Sequence, residues 1–428
     1  MNHKKAIITT LGCRLNTADT ALLTDRLERA GYTVVDPASD PERVELLIVN
    51  SCAVTAEAER KSRQLVRQLA KRFPGARRVL TGCAAELADE GGAWSDAVDA
   101  ILPNPSKRNL NEFFDAIGLT GEHSLDAGKE TFSEDATGRF PFKSRAFLKI
   151  QEGCENFCSY CIVPYVRGPE RSRDFDEILA DCRRSLAAGF AELVLTGVNT
   201  ATYRDGARNL GDLVREIAKF DGDFRIRLSS TEPHPANLAL LEVMASEPKV
   251  CRFLHLSLQH GDDRILTAMN RKYRAADYAA FVAEARKLIP GIAIGSDVIV
   301  GFPGETDADF ESSRRFIRAM EFANTHLFSY SPRPGTPAAK LPGRVPAEVV
   351  KSRYNLLKQE AETARRNFIR SELARGPFGV IFEEERSDGL ACGWSDHYIQ
   401  LRVPAGTVPL EKIVRRQFSA SDAPELLS

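Results

Sequence analysis

Three cysteines lie close enough together in this chain to hold a metal group. Cys154, Cys158 and Cys161 follow the spacing Cys-x3-Cys-x2-Cys, with no histidine or fourth cysteine nearby. A structural zinc site normally has four protein ligands, whereas the irons of an iron–sulfur cluster are held by cysteine thiolates. Three thiolates on a [4Fe-4S] cube leave one iron open for chemistry. The spacing favours such a cluster, while a zinc site with a distant ligand and three buried thiols remain alternatives.

Three further cysteines each follow a short apolar, strand-like run and precede a helix-like stretch. They are Cys13, Cys52 and Cys83. Alternating strands and helices predict a parallel sheet, and the carboxyl ends of its strands share one edge, where ligands bind. We therefore expect these cysteines to converge. Converging thiols indicate a second metal site, and three unrelated buried thiols are the alternative.

Both cysteine sets resemble the motifs of a known family. Tyr160-Cys161, with Cys154 and Cys158 before it, is similar to the signature of radical S-adenosylmethionine enzymes. The segments 11–16, 49–55 and 81–84, around the other three cysteines, resemble the cluster motifs of methylthiotransferases. The resemblance implies two [4Fe-4S] clusters and S-adenosyl-L-methionine, which binds the open iron and is cleaved to a 5′-deoxyadenosyl radical. It also implies that Tyr160 lies by the adenine, and its alternative role is packing.

In the middle of the chain, apolar strand-like runs that alternate with helix-like stretches predict six strand–helix units. Six units are too few for a closed eight-stranded barrel. We expect an open, partial (β/α)6 barrel with a polar ligand at the carboxyl ends of its strands. By resemblance that ligand is S-adenosyl-L-methionine. A turn or helix-cap role is the alternative for each polar residue. The expected contacts are Tyr160, Gly197, Asn199, Ser229, Glu232, Gln259 and Asp297.

The fold class predicted for the whole chain is α/β, in three domains. A parallel α/β iron–sulfur domain is expected over residues 1–115, a linker over 116–139 and the radical S-adenosylmethionine barrel over 140–370. Alternating apolar residues predict a small all-β domain over 371–428, which resembles the TRAM domain of methylthiotransferases. Its acidic run Glu383–Glu385 opposes phosphate binding, so a structural cap is an alternative. The last ten residues read as disordered.

Composition limits the classes of function. The chain has 58 Lys and Arg against 59 Asp and Glu, so any contact with RNA phosphates must come from local patches. The helix-like run Glu57–Arg72 carries six basic residues and is either such a patch or a solvated face. The first residues lack a signal peptide, which favours a cytoplasmic protein. The cysteines outside the motifs, Cys182, Cys251 and Cys392, are predicted to pack in cores.

Two departures from the family pattern bear on the site. His260 stands where the family usually has serine, and a spectator role is favoured over acid–base chemistry because no partner is evident. Pro169 stands where a basic residue is common, which leaves Arg167, Arg171 and Arg173 as possible phosphate contacts.

One branch of the family is matched best. Segments 393–399 and 271–273 resemble the methylthiotransferases that act on N6-threonylcarbamoyladenosine beside the anticodon. This resemblance implies tRNA as substrate and a flavodoxin-like electron donor. Isopentenyladenosine in tRNA and an aspartate of a ribosomal protein are the alternatives within the family. A non-enzymatic iron–sulfur module for RNA binding or electron transfer is the alternative outside it.

Overall fold

The computed structural model describes residues 4–39, 42–88, 92, 94, 96–107, 109–119, 144–233 and 237–427. The predicted linker 116–139 lies outside these residues beyond position 119, and the domain boundaries remain predictions. Among the described residues, no helix is both long and apolar enough to cross a membrane.

The first sheet is parallel and has five strands, in the order β2-β1-β3-β4-β5. Its strands are β1 (Lys4–Thr10), β2 (Tyr32–Val34), β3 (Val44–Ser51), β4 (Arg77–Gly82) and β5 (Ala100–Leu102). Its helices are α1 (Arg14–Arg29), α2 (Ala56–Arg72) and α3 (Leu110–Ile117). The central strand β3 is buried on both faces, which is why its sequence is a continuous apolar run. Sequence analysis found only three strands, because β2 and β5 have three residues each and show no periodicity.

The middle of the chain forms an open barrel, as predicted. Parallel strands lie in one sheet of order β12-β9-β6 and a second of order β13-β14-β15-β16. The strands are β6 (Ala146–Lys149), β7 (Gln151–Glu152), β8 (Arg171–Ser172), β9 (Glu192–Thr196), β10 (Arg204–Asp205), β11 (Arg208–Asn209), β12 (Arg225–Leu228), β13 (Ser230–Thr231), β14 (Phe253–Leu256), β15 (Ala293–Val300) and β16 (Asn324–Ser329). The helices are α4 (Val163–Arg167), α5 (Phe175–Ala187), α6 (Leu210–Ala218), α7 (Asn237–Ser246), α8 (Asp263–Ala268), α9 (Ala275–Leu288), α10 (Asp307–Met320) and α11 (Ala347–Arg375).

Side chains of the barrel strands alternate between the helices and the interior. Leu254 and Leu256 of β14 and Val298 of β15 pack in the core under the helices. Because successive side chains point to opposite faces of a sheet, His255 and Asp297 must point to the inner face. We call the space enclosed by this inner face the lumen.

The end of the chain is a four-stranded antiparallel sheet of order β19-β18-β17-β20. Its strands are β17 (Phe378–Glu385), β18 (Leu390–Ser395), β19 (Gln400–Pro404) and β20 (Ile413–Arg416). The acidic run Glu383–Glu385 does not form a continuous negative surface, because Glu383 accepts hydrogen bonds from Ser144 and Arg145, each at 2.6 Å. The likeness to a TRAM domain remains a prediction.

The expectation of disorder at the end of the chain is wrong for the described residues. Ala423 is buried in the core of the last domain. Arg365 of α11 also holds Glu425 through an ion pair of 2.8 Å. The polar composition of this segment concealed these two anchoring side chains.

Helix α1 of the first domain lies against β6 and β9 of the barrel. Its Asp19 is fully buried and contacts Lys149 at 2.6 Å, Arg167 at 2.8 Å and Lys107 at 3.0 Å. Burial alone would raise the pKa of this carboxyl, but the three cations hold it well below its usual value. The charged group therefore joins the first domain to the barrel wall.

Candidate active site

The turns after β1, β3 and β4 bring Cys13, Cys52 and Cys83 together. The amide of Cys83 donates to the carbonyl of Ser51 at 3.0 Å, so the loops after β3 and β4 are in direct contact. Gly12 has a φ of 113°, and a Cβ there would lie 2.8 Å from the Cβ of Cys52. Glycine before Cys13 therefore allows the first loop to approach the second. Cys13 is exposed, whereas Cys52 and Cys83 are buried.

The loop after β7 carries Cys154, Cys158 and Cys161. The amide of Cys154 donates to the carbonyl of Gly168 at 3.2 Å, and that of Cys161 donates to the carbonyl of Cys158 at 2.9 Å. Gly153 has a φ of 77°, and a Cβ there would overlap the carbonyl of Pro169. The loop therefore folds tightly on the segment after α4 and turns its three thiols toward one another.

Both triads fit an iron–sulfur cluster by their donor chemistry. Burial, together with the neighbouring Cys83 and Cys13, raises the pKa of the Cys52 thiol to about 12. Burial likewise raises the pKa of Cys161 to about 12 and that of Cys154 to about 11. Three close thiolates in such surroundings need positive charge among them, and cluster irons supply it.

Arg271 lies against the second triad, and sequence analysis did not select it. Its guanidinium donates to the sulfur of Cys158 at 3.3 Å and pairs with Glu232 at 2.8 Å. Asn156, within the cysteine loop, donates to the same carboxylate at 2.9 Å. Arg271 belongs to the segment 271–273 that resembles one branch of the family, and this was the available signal.

Two of the expected S-adenosylmethionine contacts lie near this triad. Tyr160 is packed against the apolar group of Ile265, Met269 and Phe302. Glu232 is oriented by Arg271 and Asn156 as described above. Their roles as ligand contacts remain predictions.

Gln259 and Asp297 are neighbours at β15. The amide of Gln259 donates to the carbonyl of Asp297 at 2.8 Å, and Gln259 holds the unusual φ of 70°. Asp297 accepts from His255 at 3.1 Å and from His326 at 3.2 Å. Burial alone would raise the pKa of Asp297, but the two imidazoles hold it well below its usual value. Each carboxylate oxygen of Asp297 keeps a further acceptor site, and a direct contact with S-adenosylmethionine remains a prediction.

The other three expected contacts have structural partners of their own. The side chain of Asn199 accepts from the amide of Ala201 at 3.2 Å, which is a cap, as the alternative proposed. Ser229 is buried and accepts from Thr196 at 3.3 Å. A Cβ at Gly197 would lie 2.9 Å from Gln151. These arrangements shape the mouth of the barrel, and direct contacts remain predictions.

Two of the expected phosphate contacts are buried. Arg167 is held by Asp19, Glu152 and Asn16, and Arg173 pairs with Asp181 at 2.9 Å. The expectation is therefore wrong for these two, because a phosphate would have to displace their buried carboxylates.

The packing predicted for three cysteines is confirmed, and the spectator role of His260 remains a prediction. His260 is buried, and its Nδ1 accepts from the amide of Asp262 at 3.1 Å, which fits a spectator role. Cys182, Cys251 and Cys392 are all buried in cores.

Comparisons with known proteins cover both parts of the site. The model of the "Radical SAM superfamily" matches residues 148–317, and that of the "Uncharacterized protein family UPF0004" matches residues 5–102. The chain is 33% identical to "Threonylcarbamoyladenosine tRNA methylthiotransferase MtaB" of Thermotoga maritima, over 93% of this chain and 91% of that protein. It is 34% identical to "tRNA-2-methylthio-N(6)-dimethylallyladenosine synthase" of Cereibacter sphaeroides, over 99% and 98%.

A solved structure shares the architecture. The radical S-adenosylmethionine methyltransferase TsrM from Kitasatospora setae aligns with a TM-score of 0.56 at 15% identity. The alignment covers 79% of this chain and 77% of that one. At this identity the likeness concerns the fold alone.

Proposed function

Because this chain belongs to the methylthiotransferase family of radical S-adenosylmethionine enzymes, we propose that it adds a methylthio group to C2 of N6-threonylcarbamoyladenosine in tRNA. The net reaction replaces the C2 hydrogen of the adenine with a sulfur that carries a methyl group. That C–H bond is not activated toward acid–base chemistry, so radical chemistry is suited to it.

The enzyme uses S-adenosyl-L-methionine and two [4Fe-4S] clusters. In our proposal Cys154, Cys158 and Cys161 hold the cluster that meets S-adenosyl-L-methionine. Cys13, Cys52 and Cys83 hold the second one. When bound, these groups would supply the inserted sulfur, the methyl group and the radical that removes the C2 hydrogen. The remaining contributions come from the side chains of the chain itself.

The observation that carries this proposal is that a side chain next to each triad contacts the barrel. Arg14, which directly follows Cys13, reaches the carbonyl of Leu228 at 3.5 Å on β12. Arg271, on the barrel side, contacts Cys158. In our proposal a base in the lumen reaches both metal groups, and the base must leave its stack to enter.

The branch of the family is proposed from the relatives and from the lumen. Relatives named for threonylcarbamoyladenosine and relatives named for dimethylallyladenosine have similar sequence identities to this chain, 33% and 34%. The lumen contains charged and polar side chains, which favours the first substrate. Isopentenyladenosine, with its apolar substituent, is the second candidate.

The proposed RNA contact is the exposed face of α2. Arg60, Arg63, Gln64, Arg67, Gln68 and Lys71 line a surface depression of about 470 Å³. Arg60 and Arg63 pair with glutamates of the same helix. Neither Arg67 nor Lys71 makes a recorded ion pair with the described part of the chain, which leaves both available for phosphates.

Reduction needs an external electron donor, and we propose a flavodoxin-like protein. We also place the enzyme in the cytoplasm. All nine cysteines are free thiols, which suits a reducing compartment.

Reconstituted enzyme, S-adenosyl-L-methionine, a reductant and tRNA with N6-threonylcarbamoyladenosine would test the proposal. Mass spectrometry of the digested RNA should show the 2-methylthio nucleoside. Replacing Cys154, Cys158 and Cys161 with alanine should abolish cleavage of S-adenosyl-L-methionine. Replacing Cys13, Cys52 and Cys83 should retain cleavage and abolish sulfur insertion. No methylthio product with the wild-type enzyme on this RNA would contradict the proposal.

A further inference from the structure

The last domain contributes a side chain to the lumen. Tyr398 stacks on Phe253 of β14, with ring centroids 5.0 Å apart, and on Trp394 at 4.8 Å. Its φ of 62° is unusual for a residue with a bulky side chain. Such backbone conformations persist where the surroundings hold them, often at ligand sites. Tyr398 thus forms the floor of the lumen, and we use this name for it below.

Two guanidinium groups flank the floor. Arg14 lies 5.2 Å and Arg227 lies 5.0 Å from the centroid of the Tyr398 ring. Burial alone would raise the pKa of Tyr398, but these and other nearby guanidinium groups hold it below its usual value. The floor is therefore in a strongly positive environment.

The two arginines differ in their partners. Arg227 is fully buried and pairs with Glu192 at 2.8 Å. Arg14 is partly exposed, and no carboxylate among the described residues forms a recorded ion pair with it. Its partners among the described residues are the ring and hydroxyl of Tyr398 and the carbonyl of Leu228 at 3.5 Å. Arg14 therefore offers an uncompensated fork of donors to an anion in the lumen.

The opposite wall presents a second polar group. The Nδ1 of His326 on β16 donates to the carboxylate of Asp297 at 3.2 Å, and its Nε2 lies 3.1 Å from the side-chain nitrogen of Asn324. The side chain of His326 is 51% exposed, whereas that of His255 is buried. The ring centroids of His255 and His326 are 5.3 Å apart, and Phe253 links them to the floor. Asp297 thus fixes His326 with one ring face open to the lumen.

These groups match one part of the proposed substrate. The threonylcarbamoyl substituent carries a carboxylate, a hydroxyl and a carbamoyl group, whereas the isopentenyl group has no polar atoms. We propose that Arg14 binds the carboxylate and that the side-chain amide of Asn324, which His326 holds in place, binds the neighbouring polar atoms, with Tyr398 as the floor beneath them. The inference rests on the proposed function and assigns substituent recognition to side chains from the first domain, the barrel and the last domain.

Discrimination follows from the same chemistry. An isopentenyl group would displace water from Arg14 and Asn324 without replacing the hydrogen bonds that this water made. Sites built to bind polar groups reject analogues that lack them much more strongly than apolar pockets reject polar ones. These residues therefore determine the choice between the two kinds of modified adenosine.

The test compares two RNAs that differ only in the substituent at the modified adenosine. With reconstituted enzyme, kcat and KM are measured for tRNA bearing the threonylcarbamoyl group and for tRNA bearing the isopentenyl group. Arg14→Met should raise KM for the first RNA about 10-fold or more and leave KM for the second within a few-fold. Arg14→Lys should recover part of the loss. His326→Leu with Asn324→Leu should narrow the preference between the RNAs by a similar factor.

The matched control is Thr325→Val, since Thr325 lies between these residues on β16 and points to the opposite face. It should leave the preference unchanged. Iron content should stay at the wild-type level in every variant, which separates recognition from damage to the clusters.

Three results would overturn the inference. An unchanged preference in the Arg14 and His326/Asn324 variants would show that the lumen polar groups do not read the substituent. Metal beyond the two clusters that is lost in His326→Leu would make His255, Asp297 and His326 a metal site instead, which their ligand atoms, all within 4.8 Å, would allow. A wild-type enzyme that acts only on the isopentenyl RNA would overturn the proposed function and this inference together.

Discussion

The guanidinium of Arg271 places a positive charge beside the triad of Cys154, Cys158 and Cys161. It donates to the sulfur of Cys158 and is held by Glu232. Hydrogen bonds to cluster sulfurs help set the reduction potential, and a nearby cation favours the more negative, reduced cluster. A single residue outside the cysteine motif thus governs how readily the cluster accepts its electron.

We predict that Arg271→Met moves the midpoint potential of this cluster to a more negative value. The rate of 5′-deoxyadenosine formation should fall about 10- to 100-fold. A redox titration followed by electron paramagnetic resonance measures the potential. Arg264→Met is the control, because Arg264 is exposed and pairs with Asp309 away from the thiols. A potential equal to that of the wild type would refute the role of Arg271.

His260 gives a prediction for pH dependence. Burial lowers its pKa to about 4, against about 6.5 in an unfolded chain. The unfolded state therefore binds the extra proton first as the pH falls, and stability from the neutral imidazole is lost between pH 6.5 and about 4. At pH 5 the loss relative to pH 7 should be about 2 kcal/mol for this group.

Urea denaturation of the wild type and of His260→Gln at both pH values isolates this contribution. The variant should lose less stability on acidification than the wild type does. Equal losses would mean that His260 is not buried in its neutral form.

At the scale of elements, helix α1 is the joint between the first domain and the barrel. The carboxylate of Asp19 forms ion pairs with the positive charges of Lys107, Lys149 and Arg167, which are all buried. Removing one member of a buried charged group leaves the others uncompensated, and this is costly. The same helix begins at Cys13 and Arg14, so the joint also fixes the position of the first triad.

We predict that Asp19→Asn destabilises the protein by about 3 kcal/mol or more. The control is Glu284→Gln, which breaks an exposed pair with Lys287 and should change stability by less than about 0.5 kcal/mol. Urea denaturation of both variants makes the comparison. Equal stabilities for the two would show that the group around Asp19 does not hold the joint.

The elements differ in how far sequence could predict them. The barrel strands and the turns after β1, β3 and β4 could be predicted, because apolar runs ending in polar residues mark parallel strands. The floor residue Tyr398 could not, since it reaches the lumen from a different sheet through a left-handed backbone. The sequence predicted a phosphate contact for Arg167, because a run of basic residues is usually exposed to solvent. The carboxylates of Asp19 and Glu152 that surround Arg167 come from distant parts of the chain, so only the fold reveals them.

At the scale of the whole molecule, the net charge is close to neutral, so tRNA must bind a local basic surface. The exposed face of α2 is the main binding surface that we propose for it. We predict that Arg67→Glu with Lys71→Glu weakens tRNA binding and reduces its dependence on salt, because two phosphate contacts are lost. The control is Arg215→Glu on α6 with Lys219→Glu at the C-cap of that helix, which has the same spacing and charge change. Fluorescence anisotropy at several salt concentrations measures both. Equal weakening by the two pairs would mean that α2 has no special role.

The most direct measurement for the whole account is mass spectrometry of nucleosides from total tRNA, in cells with and without this gene. The account predicts that 2-methylthio-N6-threonylcarbamoyladenosine disappears without the gene and that N6-threonylcarbamoyladenosine accumulates. Restoring the gene with Cys154, Cys158 and Cys161 replaced by alanine should not bring the product back. Unchanged tRNA nucleosides, or loss of the methylthio group from isopentenyladenosine instead, would contradict it.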